Sequence, residues 1–243
     1  MSLLLPALAF AAMPNEQIAA LQRQVADKPV GERIAFWAET FLDTPYDPDP
    51  LGEYVRKSVI VADERVDCMY LAFRSVELAL GKDPAGATEV ALDKRFITKG
   101  KVAGGKVLNY EERFQYGEDM IDSGKWGTEI TSRLGRADVM PGIRGREKVV
   151  YLSPENILRN LDRLKSGDIV FFVNTPERMK KGEIIGHIGI IKREGDKVYL
   201  IHASGRKHMS GRVRKIPFRK YVQAMPFAGI RVTRFEENDS PSG

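Results

Sequence analysis

Five short apolar runs crowd the last third of the chain, and they limit the fold more than any other feature. They cover residues 169–173, 186–192, 197–203, 212–216 and 230–235. Each has the length and apolar character of a strand, and turn residues separate them. Upstream, apolar residues recur at helical spacing instead. Ile18, Leu21 and Val25 share one face, and Ile34, Trp37, Ala38 and Phe41 share another after a break at 28–31. Helices followed by a meander of strands predict an α+β fold with an antiparallel sheet.

The two central strands are joined by Glu194-Gly195-Asp196-Lys197. Gly-Asp suits a two-residue hairpin turn, with Gly supplying positive φ at its first position. That turn puts His187 opposite Ser204. His202 then lies on the same face as His187, on the diagonal, about 7–8 Å away at Cα. A four-residue loop keeps this register, whereas a three-residue loop shifts it by one and separates the rings.

Cys68 is the only cysteine. From it, Leu71, Ala72, Val76, Ala79 and Leu80 mark a helix that Gly81 and Pro84 end. Asp67 is a good N-cap, so Cys68 opens the helix. The unpaired N–H groups and the dipole there favour a thiolate, which predicts a lowered thiol pKa and a nucleophile. Taken alone, a lone cysteine is more often inert packing. The histidine pair changes the balance, because a thiol nucleophile needs a base and the base needs an orienting group. His187 as base and His202 as orienter meet that need. Two unrelated strand histidines, or a metal site of Cys68, His187 and His202, are the competing readings; no zinc-motif spacing or acidic fourth ligand accompanies the latter.

With 243 residues, 43% of them hydrophobic, the chain is long enough for one large domain or two small ones. A net charge of +5 suits nucleic acid, an acidic cell surface or an anionic glycan equally. One cysteine excludes an intramolecular disulfide framework. Residues 1–13 read as a signal-like or apolar segment, 14–236 as one catalytic domain with an insertion at about 85–150, and 237–243 as a polar tail. No run reaches the roughly 18 uninterrupted apolar residues of a membrane span. Within the domain, 43–50 is a proline-rich connector displaying Tyr46, 58–62 reads as a short strand, and Ser153 caps a helix carrying Ile157, Leu158, Leu161 and Leu164. The basic run Arg133, Arg136, Arg144, Arg146 and Lys148 reads as solvated surface by default, with a grip on an anionic substrate as the alternative.

Several motifs in order then carry a resemblance. They are Thr44-Pro45-Tyr46, Val66-Asp67-Cys68, the stretch 164–171, Gly186-His187-Ile188-Gly189-Ile190, Leu200-Ile201-His202-Ala203-Ser204 and Gly229-Ile230-Arg231-Val232-Thr233-Arg234. Together they resemble the NlpC-type papain-fold cell-wall hydrolases, in their N-acetylmuramoyl-L-alanine amidase-like branch; the stretch 113–121 is similar to that branch as well. The resemblance implies a papain-like core, with the nucleophile helix packed on the antiparallel sheet and an insertion between the two. It implies Cys68, His187 and His202 as the catalytic set, Tyr46 near the oxyanion, and Asp67 meeting a substrate amine. The implied activity is a cysteine hydrolase that cuts the amide between N-acetylmuramic acid and L-alanine, and the signal-like N-terminal stretch predicts a periplasmic or secreted location. Alternatives are a D-glutamyl-diamino acid endopeptidase and a non-catalytic wall-binding module. The implied partner is a muropeptide or peptidoglycan fragment, with no nucleic acid, no cofactor and no metal. Met69-Tyr70 departs from the small or hydroxyl residues usual after the cysteine, which predicts a narrowed pocket.

Overall fold

The computed structural model describes residues 13–49, 51–179, 182–206 and 209–237. The apolar segment at 1–12, the third histidine at 208 and the tail from 238 lie outside the described residues.

Helices α1 (Asn15–Gln24) and α2 (Val30–Thr40) break at Pro29, as their spacing predicts, and bury Ile18, Ile34, Trp37 and Ala38. A short helix α3 (Glu53–Lys57) follows the connector. The strand expected at 58–62 does not form. Side chains take part of its backbone bonding instead: the Ala62 N–H donates to the Tyr70 hydroxyl at 2.6 Å, and Arg95 Nη1 donates to the Ile60 carbonyl at 2.7 Å.

Helix α4 (Cys68–Leu80) is buried from Tyr70 to Leu80. It is apolar nearly all round, which suits a helix enclosed by its neighbours. Its two buried charges are paired. Arg74 grips Asp63 at 2.9 and 3.0 Å, and Glu77 accepts from Arg95 at 2.5 and 2.7 Å. Removing one partner of such a pair costs about 3–5 kcal/mol.

The insertion begins with α5 (Pro84–Lys94), capped by Asp83. A small hairpin follows, β1 (Val102–Ala103) and β2 (Lys106–Val107). Next come α6 (Gly117–Asp122), β3 (Thr128–Glu129), α7 (Thr131–Leu134) and a second hairpin, β4 (Asp138–Pro141) and β5 (Lys148–Tyr151). Arg144 and Arg146 in this hairpin are paired with carboxylates rather than free at the surface. Arg144 pairs with Glu118 at 3.3 Å and Asp119 at 3.1 Å; Arg146 pairs with Asp119 at 2.7 Å and Asp122 at 2.6 Å. The guanidiniums pin β4–β5 to α6.

Helix α8 (Pro154–Arg159) stops short of its apolar spacing, because the chain tightens into a 3-10 turn over Leu161–Arg163. Ser153 sits at its N-cap position without capping it. Then come β6 (Ile169–Val173), α9 (Pro176–Met179), β7 (Ile185–Glu194), β8 (Lys197–Arg206), β9 (Met209–Pro217), α10 (Phe218–Ala224) and β10 (Gly229–Arg234). The main sheet is antiparallel, in the order β3-β10-β6-β7-β8-β9. The fold is therefore α+β, as the order of elements predicts.

The sheet is buried on both faces. Phe171, Ile188, Ile190 and Ile201 cluster with Leu71, Phe73 and Val76 of α4. Val170, Phe172, Ile191 and Leu200 cluster with Phe218 and Val222 of α10. Each such side chain contributes roughly 1.5–3 kcal/mol by leaving water. Double-sided burial explains why the strand runs read as nearly continuous apolar stretches rather than alternating ones.

The β7–β8 hairpin has the expected register, from Glu194↔Lys197 to Ile190↔Ile201. Gly195 has φ +58, which a side chain would strain.

Candidate active site

The connector at 44–47 ties two parts of the molecule together. On one side, the Tyr46 N–H donates to Gly211 of β9 at 2.8 Å. On the other, the Asp47 N–H donates to the Val66 carbonyl and the Val66 N–H to the Pro45 carbonyl, both at 3.0 Å. The residues just before the cysteine are thereby fastened to the open edge of the sheet. The half-buried Tyr46 ring lies against the Gly205 backbone of β8, where a Cβ would collide with it.

Asp67 caps α4 as its residue type predicts, accepting from the Tyr70 N–H at 2.7 Å. Burial and the neighbouring Asp47 raise its carboxyl to about 6. Cys68 follows, half-buried. Its thiol does not behave as its helix position predicts. Burial, then the charge of Asp67, push it up to about 12, against the pull of the Ile188, Cys68 and Met69 N–H groups on the sulfur. Desolvation outweighs the helix terminus here, since losing water penalises the charged form of the thiol. Ile188, one of the residues whose N–H lowers the thiol pKa, directly follows His187.

His187 and His202 come together as the register predicts. His187 Nε2 and His202 Nδ1 are 2.8 Å apart. Burial lowers His187 to about 3, with His202 adding to the effect; burial and Arg214 lower His202 to about 4. Arg214 is the residue directly across β9 from His202. At neutral pH both rings are neutral. Among the described residues no group of three His, Cys, Asp or Glu side chains is placed to hold a metal ion.

The residues on either side of Cys68, Asp67 and Met69, line a small cavity of about 170 Å³ together with Arg113, Tyr116 and Glu183 among others. Met69 lines this space. Tyr70 does not, because it turns into the core and donates to Asp63 at 2.7 Å. Glu118 is fully buried and accepts from the Ile184 and Ile185 N–H groups at 3.2 Å each, fixing the start of β7 two residues before His187.

Three aromatic residues pack around the histidines, and Arg178 on one of them, without a motif in the sequence to mark them. Phe172 pairs with His187 across β6–β7. Tyr221 stands edge-on to His202 with ring centroids 5.2 Å apart, and Phe227 stacks parallel to His187 at 6.4 Å. Arg178 lies over Phe227 at 5.6 Å. Phe218 and Val222, four residues apart, were a signal for α10. Nothing local marked the direction of Tyr221.

No protein-family model matches the sequence. No curated protein matches it either. Solved structures do share its architecture. An N-acetylmuramoyl-L-alanine amidase from Bacteroides uniformis superposes with a TM-score of 0.66 at 21% identity, over 86% of this chain and 99% of that one. A Legionella pneumophila protein assigned to the DUF1460 family model gives 0.67 at 15% identity, over 90% and 93%. A Bacteroides fragilis protein named as a candidate xylanase gives 0.63 at 19%, over 82% and 99%. At such identities the likeness establishes the fold, and one fold hosts several chemistries.

Proposed function

We propose that the protein is a papain-like cysteine amidase of peptidoglycan fragments, cleaving between N-acetylmuramic acid and L-alanine. The observation that carries this reading is the 2.8 Å His187–His202 contact beside the helix that Cys68 opens. The amidase among its structural neighbours supports the choice of bond. Export belongs to the same proposal and rests on the apolar stretch at 2–12.

The chemistry follows from the ring nitrogens. His187 Nε2 is engaged with His202, which leaves Nδ1 to serve the thiol. For Nδ1 to accept a proton, Nε2 must carry the hydrogen and donate it to His202 Nδ1. Thiol and imidazole are both neutral at rest. Burial opposes either charge alone, whereas a thiolate beside an imidazolium forms as a mutually compensating pair. The sulfur then attacks the acyl carbon and an oxyanion forms. Backbone N–H groups at the start of α4, with Tyr46 nearby, suit its stabilisation. His187 passes its proton to the departing nitrogen, the amine leaves, and water hydrolyses the thioester with His187 again as base.

Asp67 and Glu183 in the small cavity favour a second reading, in which a free substrate amine binds there and the cut falls after D-glutamate. Product analysis separates the two. Defined muropeptides are incubated with the protein and with Cys68→Ala, and products are read by mass spectrometry. Release of an intact peptide beginning with L-alanine, lost in the variant, is the expected result. A fragment lacking L-alanine and D-glutamate would move the cut into the stem. Equal products from both proteins would remove Cys68 from the mechanism.

A further inference from the structure

Two hydrogen-bond donors, one packed on His202 and one on a ring that stacks on His187, have no role in the steps above. The Tyr221 hydroxyl makes no hydrogen bond among the described residues, although its ring is held by Phe172 at 5.1 Å and His202 at 5.2 Å. Arg178 is exposed and forms no ion pair among the described residues, while its guanidinium rests over Phe227. Phe227 in turn stacks on His187. Three aromatic rings thus make a shelf around the histidines, carrying a phenol and a guanidinium at its surface.

Reaction geometry says what faces that shelf. His187 must deliver its proton to the departing nitrogen, so the leaving group lies on the histidine side of the sulfur. Burial and the nearby Cys68 charge raise the Tyr221 phenol, which keeps it protonated and a donor. A guanidinium has donors only and a permanent charge. Two donors and one positive charge on an aromatic floor match an acceptor-rich anion, and Arg binds carboxylates in planar geometry.

We propose that Arg178 and Tyr221 form a leaving-group subsite that selects a peptide bearing a free carboxylate over its amidated form. The inference rests on the amidase reading for the direction of the leaving group, because there the released peptide begins with L-alanine and carries the glutamate α-carboxylate one residue from the new amine.

The test measures binding, not turnover. Cys68→Ala protein is titrated calorimetrically with L-Ala-γ-D-Glu-diamino acid peptide and with the same peptide carrying an α-carboxamide on the glutamate. Loss of one charge-assisted contact predicts about tenfold or more weaker binding of the carboxamide. Arg178→Ala in the same background is expected to erase that preference, and Tyr221→Phe to weaken both peptides alike by several-fold. Arg178 is exposed, so its replacement leaves the core intact. Equal affinity for both peptides, a preference that survives Arg178→Ala, or no binding of either would overturn the proposal. A wild-type protein that cleaves no muropeptide while this preference holds would sink the proposed activity and not the subsite.

Discussion

His187 Nε2 and His202 Nδ1 meet at 2.8 Å across the two strands of one hairpin. In the proposed mechanism His202 uses this contact to hold His187 in the tautomer whose Nδ1 is free to take a proton. His202→Ala should lower kcat by about 10²-fold or more, the lower range for losing acid–base assistance. His202→Gln, which keeps an acceptor, should retain more activity than the alanine variant. Equal kcat for wild type and His202→Ala would remove the orienting role.

The Cys68 thiol is pushed up to about 12, so the free protein holds little thiolate at pH 7. Alkylation by iodoacetamide should be slow at pH 7 and rise about tenfold per pH unit toward pH 10, following the thiolate fraction. A rate that is high and flat between pH 6 and 8 would mean a preformed thiolate–imidazolium pair instead.

Gly205 leaves room for the Tyr46 ring, and a Cβ there would strike it. Gly205→Ala should displace Tyr46 and lower kcat/KM. The strain should also cost about 1–3 kcal/mol, as overpacking does. Urea unfolding and steady-state kinetics on one preparation check both effects; wild-type values for both would show that the ring moves freely.

The histidine pair makes stability depend on pH. Unfolded imidazoles titrate near 6.5, whereas folded His187 and His202 titrate near 3 and 4. Between those values the unfolded chain binds more protons, so stability is present above about 6.5 and is lost as pH falls. Asp67 acts the opposite way. Its folded pKa of about 6 exceeds the unfolded 3.8, so protonation between those values favours the native state. Two histidines outweigh one carboxyl, and the unfolding free energy should fall from pH 7 to pH 5. The His187→Gln/His202→Gln double variant should fall less. An equal fall in both proteins would assign the acid sensitivity elsewhere.

Much of the site was legible because its geometry is local. One Gly-Asp turn sets the β7–β8 register, and a period of two then puts both histidines on one face. Asp67 before an apolar helical run marks an N-cap and therefore the position of Cys68. The segment 58–62 was misread for the opposite reason. Its backbone partners include the side chains of Tyr70 and Arg95, and Arg95 lies more than thirty residues away, where no spacing rule reaches. Arg144 and Arg146 looked free for the same reason, since the carboxylates that neutralise them belong to α6, more than twenty residues upstream.

The amino-acid order by itself determined the α+β class, the hairpin register, the helix that Cys68 opens and the neighbourhood of two histidines. These depend on periodicity, turn chemistry and capping, which act within a few residues. Tertiary structure alone decided the state of the thiol and the company of the histidines. A helix N-terminus lowers a thiol pKa, but desolvation raises it, and only packing says how much water is lost. Tyr221 and Phe227 reach the imidazoles from one stretch, and Arg178 reaches the Phe227 ring from another more than forty residues upstream, so no short window of sequence contains the surface they make.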